Sequence, residues 1–179
     1  MAGRFRQKGE YVRVGMHIAP HPEHVAMMIH EALLVYASDL DTYFLDKVAK
    51  FHLDFETIHP FCDGNGRMGR EIINMQLLEL EFPRITIRNK EKATYYQAFR
   101  DYNDRQETKT MERILSVGLL ESLHKRTTYL RGEKIIRLAD HIRQNKLSAP
   151  SVTNAARRQT IPAFREKEIW KIGQDYERA

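Results

Sequence analysis

IHPFCDGNGRMGREI, residues 58–72, is the stretch around which the rest of the chain is organised. Its Gly64-Asn65-Gly66 segment allows positive φ angles and a close backbone approach, so that successive amides can point at one anion. The residues that follow, 67–75, have the pattern of a helix, whose N-terminal amides and dipole favour an anion at the same place. The stretch therefore predicts a phosphate-binding loop at the start of a helix.

The charged side chains of this stretch indicate what the phosphate belongs to. Arg67 and Arg70 are three residues apart and share a helix face, which suits contacts to two neighbouring phosphates. Asp63 is a carboxylate beside the anion site, which indicates a divalent cation, most simply Mg²⁺ held by one protein oxygen, phosphate oxygens and water. His59 has the unperturbed pKa, near 6.5, that suits a general base. The residues predict a nucleotide site with a base beside it.

The same stretch fills every fixed position of HPFxDGNGRxxR, the signature of the Fic family, where a coincidental glycine-rich loop would match only part of it. The chain therefore resembles Fic proteins, in particular class II-like members, which transfer AMP from ATP to a serine, threonine or tyrosine hydroxyl of a target protein. The resemblance implies that His59 is the general base and that Asp63 holds Mg²⁺. It also implies ATP contacts from Val14, Gly15, Met16, His17, Asp63, Gly64, Asn65, Gly66, Arg67, Met68, Gly69, Arg70, Tyr95 and Asn103.

The N-terminal segment GRFRQKGEYVRVGMHI, residues 3–18, predicts a short β-hairpin, because it has a Lys8-Gly9 turn followed by alternation from Tyr11 to Met16. It resembles the flap that aligns a target chain over the active site in Fic proteins, the alternative being a plain surface hairpin. His17, His21 and His24 have a spacing that also occurs in zinc sites. Neither cysteine nor a well-placed carboxylate completes a tetrahedral set there, so the sequence does not favour zinc.

Four further helices are indicated by apolar residues at steps of three and four. They cover residues 25–36, 39–58, 89–102 with Asn89 as the N-cap, and 110–123, and the second of them delivers His59 at its end. His52, on the apolar side of that helix, is expected to be a hydrogen-bonded core residue. The expected fold class is mainly α, a Fic helical bundle with a β-hairpin flap.

The C-terminal segment is basic and has a pattern of its own. From residue 125 onward there are 13 Lys/Arg and 6 Asp/Glu, a balance of +7, against 16 and 18, a balance of −2, in the rest. The pattern predicts helices over 133–146 and 151–158 and then two strands, 160–165 and 169–173. It resembles the small winged helix-turn-helix of excisionase-like DNA-binding domains, with Arg157 and Arg158 as the implied DNA contacts. A packing or partner-binding module of the same fold is the alternative.

Length and composition suit one domain with a small appendage, and we predict a Fic domain over 1–131 and a winged helix-turn-helix-like module over 132–179. The sequence shows neither a long apolar run nor a secretory signal, which favours a cytoplasmic protein without membrane association. The single cysteine, Cys62, excludes an internal disulfide and fits a reducing compartment.

Two departures from the family pattern and several alternatives remain. The only match to the inhibitory Ser/Thr-x-x-x-Glu-Gly/Asn motif runs from Thr108 to Glu112 and fails at Arg113. The upstream helices of this subfamily are expected in a longer parent chain or another subunit, or they are dispensable. A Fic kinase is disfavoured because Gly66 stands where those relatives have lysine, whereas phosphocholine transfer stays open. A DNA-binding regulator whose Fic part senses ATP also stays open as an alternative, and a homodimer is a further possibility that the sequence leaves open.

Overall fold

The computed structural model describes residues 3–88 and 92–176, which form two compact units. The first unit holds residues up to Leu80 and Ile87–Leu115, and the second holds Glu81–Thr86 and the residues from Ser116 onward. The predicted boundary after residue 131 stays a prediction. None of the helices in the two described ranges combines the length and the apolar character that a bilayer crossing requires.

The first unit is a helical bundle built around α2. Its helices are α1 (Val25–Ser38), α2 (Phe44–Ile58), α3 (Asn65–Glu79), α4 (Lys92–Arg105) and the first part of α5 (Lys109–Leu130). Helix α2 packs against α1, α3 and α4. It can do so because its apolar residues lie on more than one side; those that are buried include Leu45, Val48, Phe51, Leu53, Phe55 and Ile58. The predicted mainly helical fold is confirmed, whereas the proposed Asn89 cap lies outside the described residues.

The hairpin is shorter than the sequence predicts. Strands β1 (Arg13–Val14) and β2 (His17–Ile18) pair antiparallel, with Val14 opposite His17. Gly15, at φ 61°, lies in the connecting turn. The predicted turn at Lys8-Gly9 is present, since the Glu10 N–H donates to the Gln7 carbonyl. It precedes the hairpin, because the ladder is confined to residues 13–18.

The second unit contains a three-stranded antiparallel sheet and two short helices. In chain order these are β3 (Ile135–Arg137), α6 (Leu138–Gln144), α7 (Ala149–Arg157), β4 (Phe164–Glu166) and β5 (Ile169–Gly173), and the sheet order is β3-β5-β4. The predicted hairpin is confirmed, with Lys167 and Glu168 at positive φ in its turn, but its first strand begins at Phe164 and not at residue 160. The predicted helix over 133–146 is wrong in its first part, because Ile135–Arg137 pair with β5 instead, Ile136 lying opposite Ile172.

A small apolar core and one buried ion pair hold the second unit together. The core consists of Leu138, Val152, Ala156, Ile161, Ala163 and Ile172. The guanidinium of Arg165 bonds the Glu121 carboxylate at 2.7 Å and lies 4.7 Å from the centre of the Trp170 ring. Both charged side chains are largely buried, so each depends on the other for its charge compensation.

Candidate active site

His59 ends α2 in a conformation that few non-glycine residues adopt. Its backbone is left-handed, at φ 51° and ψ 63°, and its N–H donates to the Phe55 carbonyl at 2.9 Å. Such angles store strain and are often found at functional positions. The left-handed residue stops the helix and sends the chain directly into the loop that begins at Pro60.

The His59 ring is oriented through Nδ1. This nitrogen lies 3.3 Å from the Glu56 carbonyl oxygen and 4.0 Å from the Glu56 carboxylate. Because a carbonyl can only accept, Nδ1 carries the proton and Nε2 has the free lone pair. Burial lowers the pKa of His59, a hydrogen bond to Glu56 opposes this, and the positive charge of Arg6 lowers it further. The neutral ring, which can accept a proton at Nε2, is favoured near neutral pH.

The loop after His59 leads into the N-terminus of α3. Gly64 is the N-cap residue of the helix, at φ 84°, and has no side chain with which to cap the first amides of α3. Asn65 is almost fully buried: its Nδ2 donates to the Phe61 carbonyl at 2.8 Å, and its Oδ1 accepts from the Phe61 N–H at 2.9 Å. The Asn65 side chain therefore closes the loop, and what this residue can offer an anion is its backbone amide.

Two charged side chains of the signature stand in solvent beside this helix start. Asp63 and Arg67 have exposed side chains, 94% and 78%, and their charged groups are 3.6 Å apart. A Cβ on Gly64 would lie 3.5 Å from the Arg67 guanidinium, and one on Gly66 would lie 3.3 Å from that of Arg70. The structure thus brings together the acid, both arginines and the glycines that the sequence predicted for one anion site.

Glu56 and His52 form a buried polar cluster behind the loop, and the sequence did not indicate a role in the site for either residue. The Glu56 carboxyl and the His52 ring face Gly69, and His52 Nε2 is hydrogen-bonded to the Tyr95 hydroxyl at 2.6 Å. Among the described side chains, Glu56 Oε1 and His52 Nδ1 are buried without a hydrogen-bond partner. Burial raises the pKa of Glu56 to about 7, against the attraction of Arg70. The glutamate is visible in the sequence as part of Phe55-Glu56-x-Ile58, but nothing there shows its burial.

The remaining predicted ATP contacts lie at different depths. Tyr95 is buried and packs edge-to-face against Phe99, so its hydroxyl serves His52. Asn103 is exposed and accepts a hydrogen bond from the Thr57 hydroxyl at 3.1 Å. Of the flap residues, Met16 is 88% exposed, while His17 Nε2 donates to the Thr57 carbonyl at 2.8 Å. The flap is thus tied to the last turn of α2, immediately before His59.

Within residues 3–88 and 92–176, no group of three or more His, Cys, Asp or Glu side chains is arranged so that it could hold a metal ion. This applies to His17, His21 and His24, whose spacing allowed a zinc hypothesis. A lone exposed carboxylate such as Asp63 suits Mg²⁺ only when the phosphates bring further oxygens. Arg157 and Arg158 are exposed in the second unit.

Comparison with known proteins finds relatives that match part of this chain. The Fic/DOC family model matches residues 1–77. A probable protein adenylyltransferase of Aquifex aeolicus is 36% identical over 98 residues, which are 53% of this chain and 29% of that protein. The protein adenylyltransferase Fic of Drosophila melanogaster is 31% identical over 104 residues, 57% of this chain and 21% of that protein. The chain thus covers less than a third of the length of either relative.

Two solved structures share the fold. A Fic domain containing signaling protein from Bacteroides thetaiotaomicron aligns with a TM-score of 0.65 and 21% identity, over 73% of this chain and 56% of that one. A Fic family protein from Desulfovibrio desulfuricans aligns with a TM-score of 0.57 and 20% identity, over 98% of this chain and 64% of that one. The complete signature, on the loop between α2 and α3, lies within the residues 1–77 that the Fic/DOC family model matches.

Proposed function

We propose that the chain is a protein adenylyltransferase that transfers AMP from ATP to a hydroxyl side chain of a target protein. The observation that carries the proposal is the placement of His59, whose neutral form is favoured and whose Nε2 has no hydrogen-bond partner among the described residues, six residues before α3, the N-terminus of which is flanked by Arg67 and Asp63. The names of the Aquifex and Drosophila relatives support the same activity.

In the proposed reaction, His59 Nε2 takes the proton of the target hydroxyl as its oxygen bonds to the α-phosphorus of ATP. The bond between the α-phosphorus and the oxygen bridging to the β-phosphate breaks, so that pyrophosphate leaves with the electron pair and the target carries AMP. The amides at the start of α3, with Arg67 and Arg70, would hold the phosphates. Asp63 would hold Mg²⁺, which supplies charge neutralisation when it is bound with ATP.

The flap belongs to the same proposal. Val14 and His17 form its central pair, and the exposed edge of the two strands can pair with an extended target segment. Such pairing would place the target hydroxyl near His59, because His17 is fixed to the last turn of α2. The class II-like assignment rests on the sequence resemblance alone.

The test is intact mass after incubation with ATP and Mg²⁺, because an adenylyltransferase of this kind often labels itself. We expect a gain of one AMP on the native chain and none on His59→Ala, with ATP binding retained in the variant, since its phosphate site is unchanged. General-base removal alone typically costs roughly 10²- to 10⁴-fold in rate. His30→Ala, which removes an exposed histidine of α1, is the matched control and should label like the native chain.

The mass gained also decides between transferred groups. A gain of one phosphate would replace the proposal with a kinase. In a parallel incubation with CDP-choline in place of ATP, a gain of phosphocholine would replace it with phosphocholine transfer. Labelling of the native chain and His59→Ala at equal rates would contradict the role of His59.

We infer a second function, duplex DNA binding, from the second unit. The inference is supported by the element order of this unit, in which β3 and the two short helices α6 and α7 precede the β4–β5 hairpin. Arg157 and Arg158 are exposed at the C-terminal end of α7, and Lys167 lies in the turn of the hairpin. Helices of this kind enter the major groove while flanking basic residues contact phosphates. The basic balance of this part of the chain supports the same role.

Binding of the full chain to random duplex DNA, followed by fluorescence anisotropy at increasing salt, tests this function. We expect measurable binding at low salt that weakens steeply as salt rises, because phosphate contacts release counterions. The double variant Arg157→Ala/Arg158→Ala should bind more weakly and show a shallower salt dependence. Arg100→Ala/Arg113→Ala removes two exposed arginines of the first unit and serves as the control of equal charge. Equal weakening by both double variants, or no binding at low salt, would contradict the inference.

A further inference from the structure

Arg6 is a buried arginine whose hydrogen bonds all go to backbone oxygens. Its side chain is 3% exposed, and its guanidinium donates to four carbonyl groups. The acceptors are His59 at 2.7 Å, Ile58 at 3.1 Å, Pro20 at 2.8 Å and Glu10 at 3.2 Å. A buried arginine usually faces a carboxylate, so an arrangement with carbonyls alone requires another explanation.

The four acceptors come from the two segments that meet at the candidate site. Ile58 and His59 are the last residue of α2 and the left-handed residue that ends it, where the carbonyl groups lack helical partners. Glu10 and Pro20 lie on either side of the β1–β2 hairpin. The Arg6 backbone is fixed as well, since its N–H donates to the Pro60 carbonyl at 2.8 Å. One side chain therefore joins both ends of the flap segment to the turn that presents His59.

The geometry of the guanidinium suits this task. Arginine presents five N–H groups in a fixed planar fork and remains charged when buried, whereas lysine presents three donors from one point. A positive charge at a helix C-terminus also complements the helix dipole. His59 is held in an unfavourable backbone conformation, and such conformations persist only where surrounding contacts determine them.

We propose that Arg6 is a positioning residue of the transfer reaction, which holds His59 in its left-handed conformation and fixes the flap over it. The inference rests on the proposed adenylyl transfer. Arg6 acts through His59 and the flap, because four of its five N–H groups donate to carbonyls of the α2 end and of the flap segment. Four groups face or influence the His59 ring: Arg6 and His17, both of which lower its pKa electrostatically, and the carbonyl and carboxyl of Glu56.

The experiment compares Arg6→Gln and Arg6→Lys with Arg4→Gln in the full chain. Arg4 is the matched control, because it is an arginine of the same segment whose guanidinium pairs with the Glu10 carboxylate at the surface. Three quantities are measured: the rate of AMP transfer, amide hydrogen exchange over residues 10–20 and 59–65, and the pKa of the His59 ring by NMR. Circular dichroism reports whether each variant is folded.

We expect both Arg6 variants to lose about tenfold to 100-fold in kcat while KM for ATP changes by less than about twofold, as for a misplaced catalytic group. Amide hydrogen exchange should become faster over residues 10–20 and 59–65 in both Arg6→Gln and Arg6→Lys. The His59 pKa should move upward in Arg6→Gln, which loses the positive charge, and remain low in Arg6→Lys, which keeps it. A residue that only stabilised the fold would leave kcat unchanged in a variant that remains folded.

Hydrogen exchange and His59 titration equal to those of Arg4→Gln would overturn the proposal, and so would unfolding of both Arg6 variants. If only Arg6→Gln unfolds, Arg6→Lys tests the proposal. Faster amide hydrogen exchange and a lower kcat in Arg6→Lys would support it, and values equal to those of Arg4→Gln would overturn it. If the native chain transfers no AMP, the proposed function fails, while hydrogen exchange and the His59 titration still test the positioning by Arg6.

Discussion

The fit of Gly69 against the buried cluster gives a quantitative prediction for Gly69→Ala. Gly69 lies inside α3, where a Cβ would stand 2.7 Å from Glu56 Oε1 and 2.8 Å from His52 Cε1. Both distances are shorter than van der Waals contact allows. His52 cannot readily turn away, because it is buried and hydrogen-bonded to Tyr95. The methyl group must therefore displace two side chains or bend the α2–α3 contact.

The expected size of the effect follows from two opposing contributions. Overpacking in a close-packed interior costs about 1–3 kcal/mol. Alanine in place of glycine inside a helix returns up to about 1 kcal/mol. We therefore expect Gly69→Ala to lower the free energy of unfolding by about 1–2 kcal/mol. Gly118→Ala is the control, because the atoms nearest to its Cβ would be those of Ile85 at 3.5 to 3.9 Å, which is ordinary contact, so it should gain about 0.5–1 kcal/mol.

Urea unfolding measures both variants. The helical circular dichroism signal reports Gly69→Ala, and the fluorescence of Trp170, the only tryptophan, reports the second unit for Gly118→Ala. The two variants should shift the urea midpoint in opposite directions. Stability of Gly69→Ala equal to or above that of the native chain would refute the reasoning, since helix propensity alone would then account for both results.

Three further predictions concern charges. The folded-state pKa of Glu56, about 7, lies above its ordinary value of 4.5, so the stabilisation it contributes is complete below pH 4.5 and is lost as pH rises through 7. This loss, about 3 kcal/mol, should be absent in Glu56→Gln when unfolding is measured from pH 4.5 to 8. Because burial lowers the pKa of His59, the acid limb of the kcat/KM profile should fall below the ordinary histidine value near 6.5. Glu121→Ala should destabilise the second unit by about 3–5 kcal/mol, because it removes the carboxylate that compensates the buried Arg165. Unfolding followed by Trp170 fluorescence measures this loss, and substitution of an exposed residue of the same unit should cost far less.

Local patterns were enough to predict most helices and the loop that holds the signature. Steps of three and four located α1, α2 and α5, and the glycines with His59 and Asp63 located the candidate site. These features depend on residues close together in the chain, so the sequence carries them directly. The Fic resemblance added the flap, whose strands contain only two residues each and have almost no pattern of their own.

Features that depend on distant partners could not be predicted in this way. Ile135–Arg137 continue an apolar helical pattern, yet they form a strand because β5, more than 30 residues later, supplies its partner. The left-handed His59 is held by Arg6, 53 residues earlier, through a bond to a carbonyl that no sequence pattern reveals. Burial of Glu56 beside Gly69 likewise requires α2 and α3 to be packed together before it can be seen.

The strand order of the second unit constrains how that unit can be made. Among the described residues, β5 is the last strand in sequence but the central one in the sheet, with β3 and β4 on its two sides. During synthesis, both outer strands therefore leave the ribosome before either can form its backbone hydrogen bonds. Ile136 and Phe164 must remain exposed until Ile172 and Lys171 emerge, which makes the nascent unit a target for chaperones and proteases until its final strand is complete.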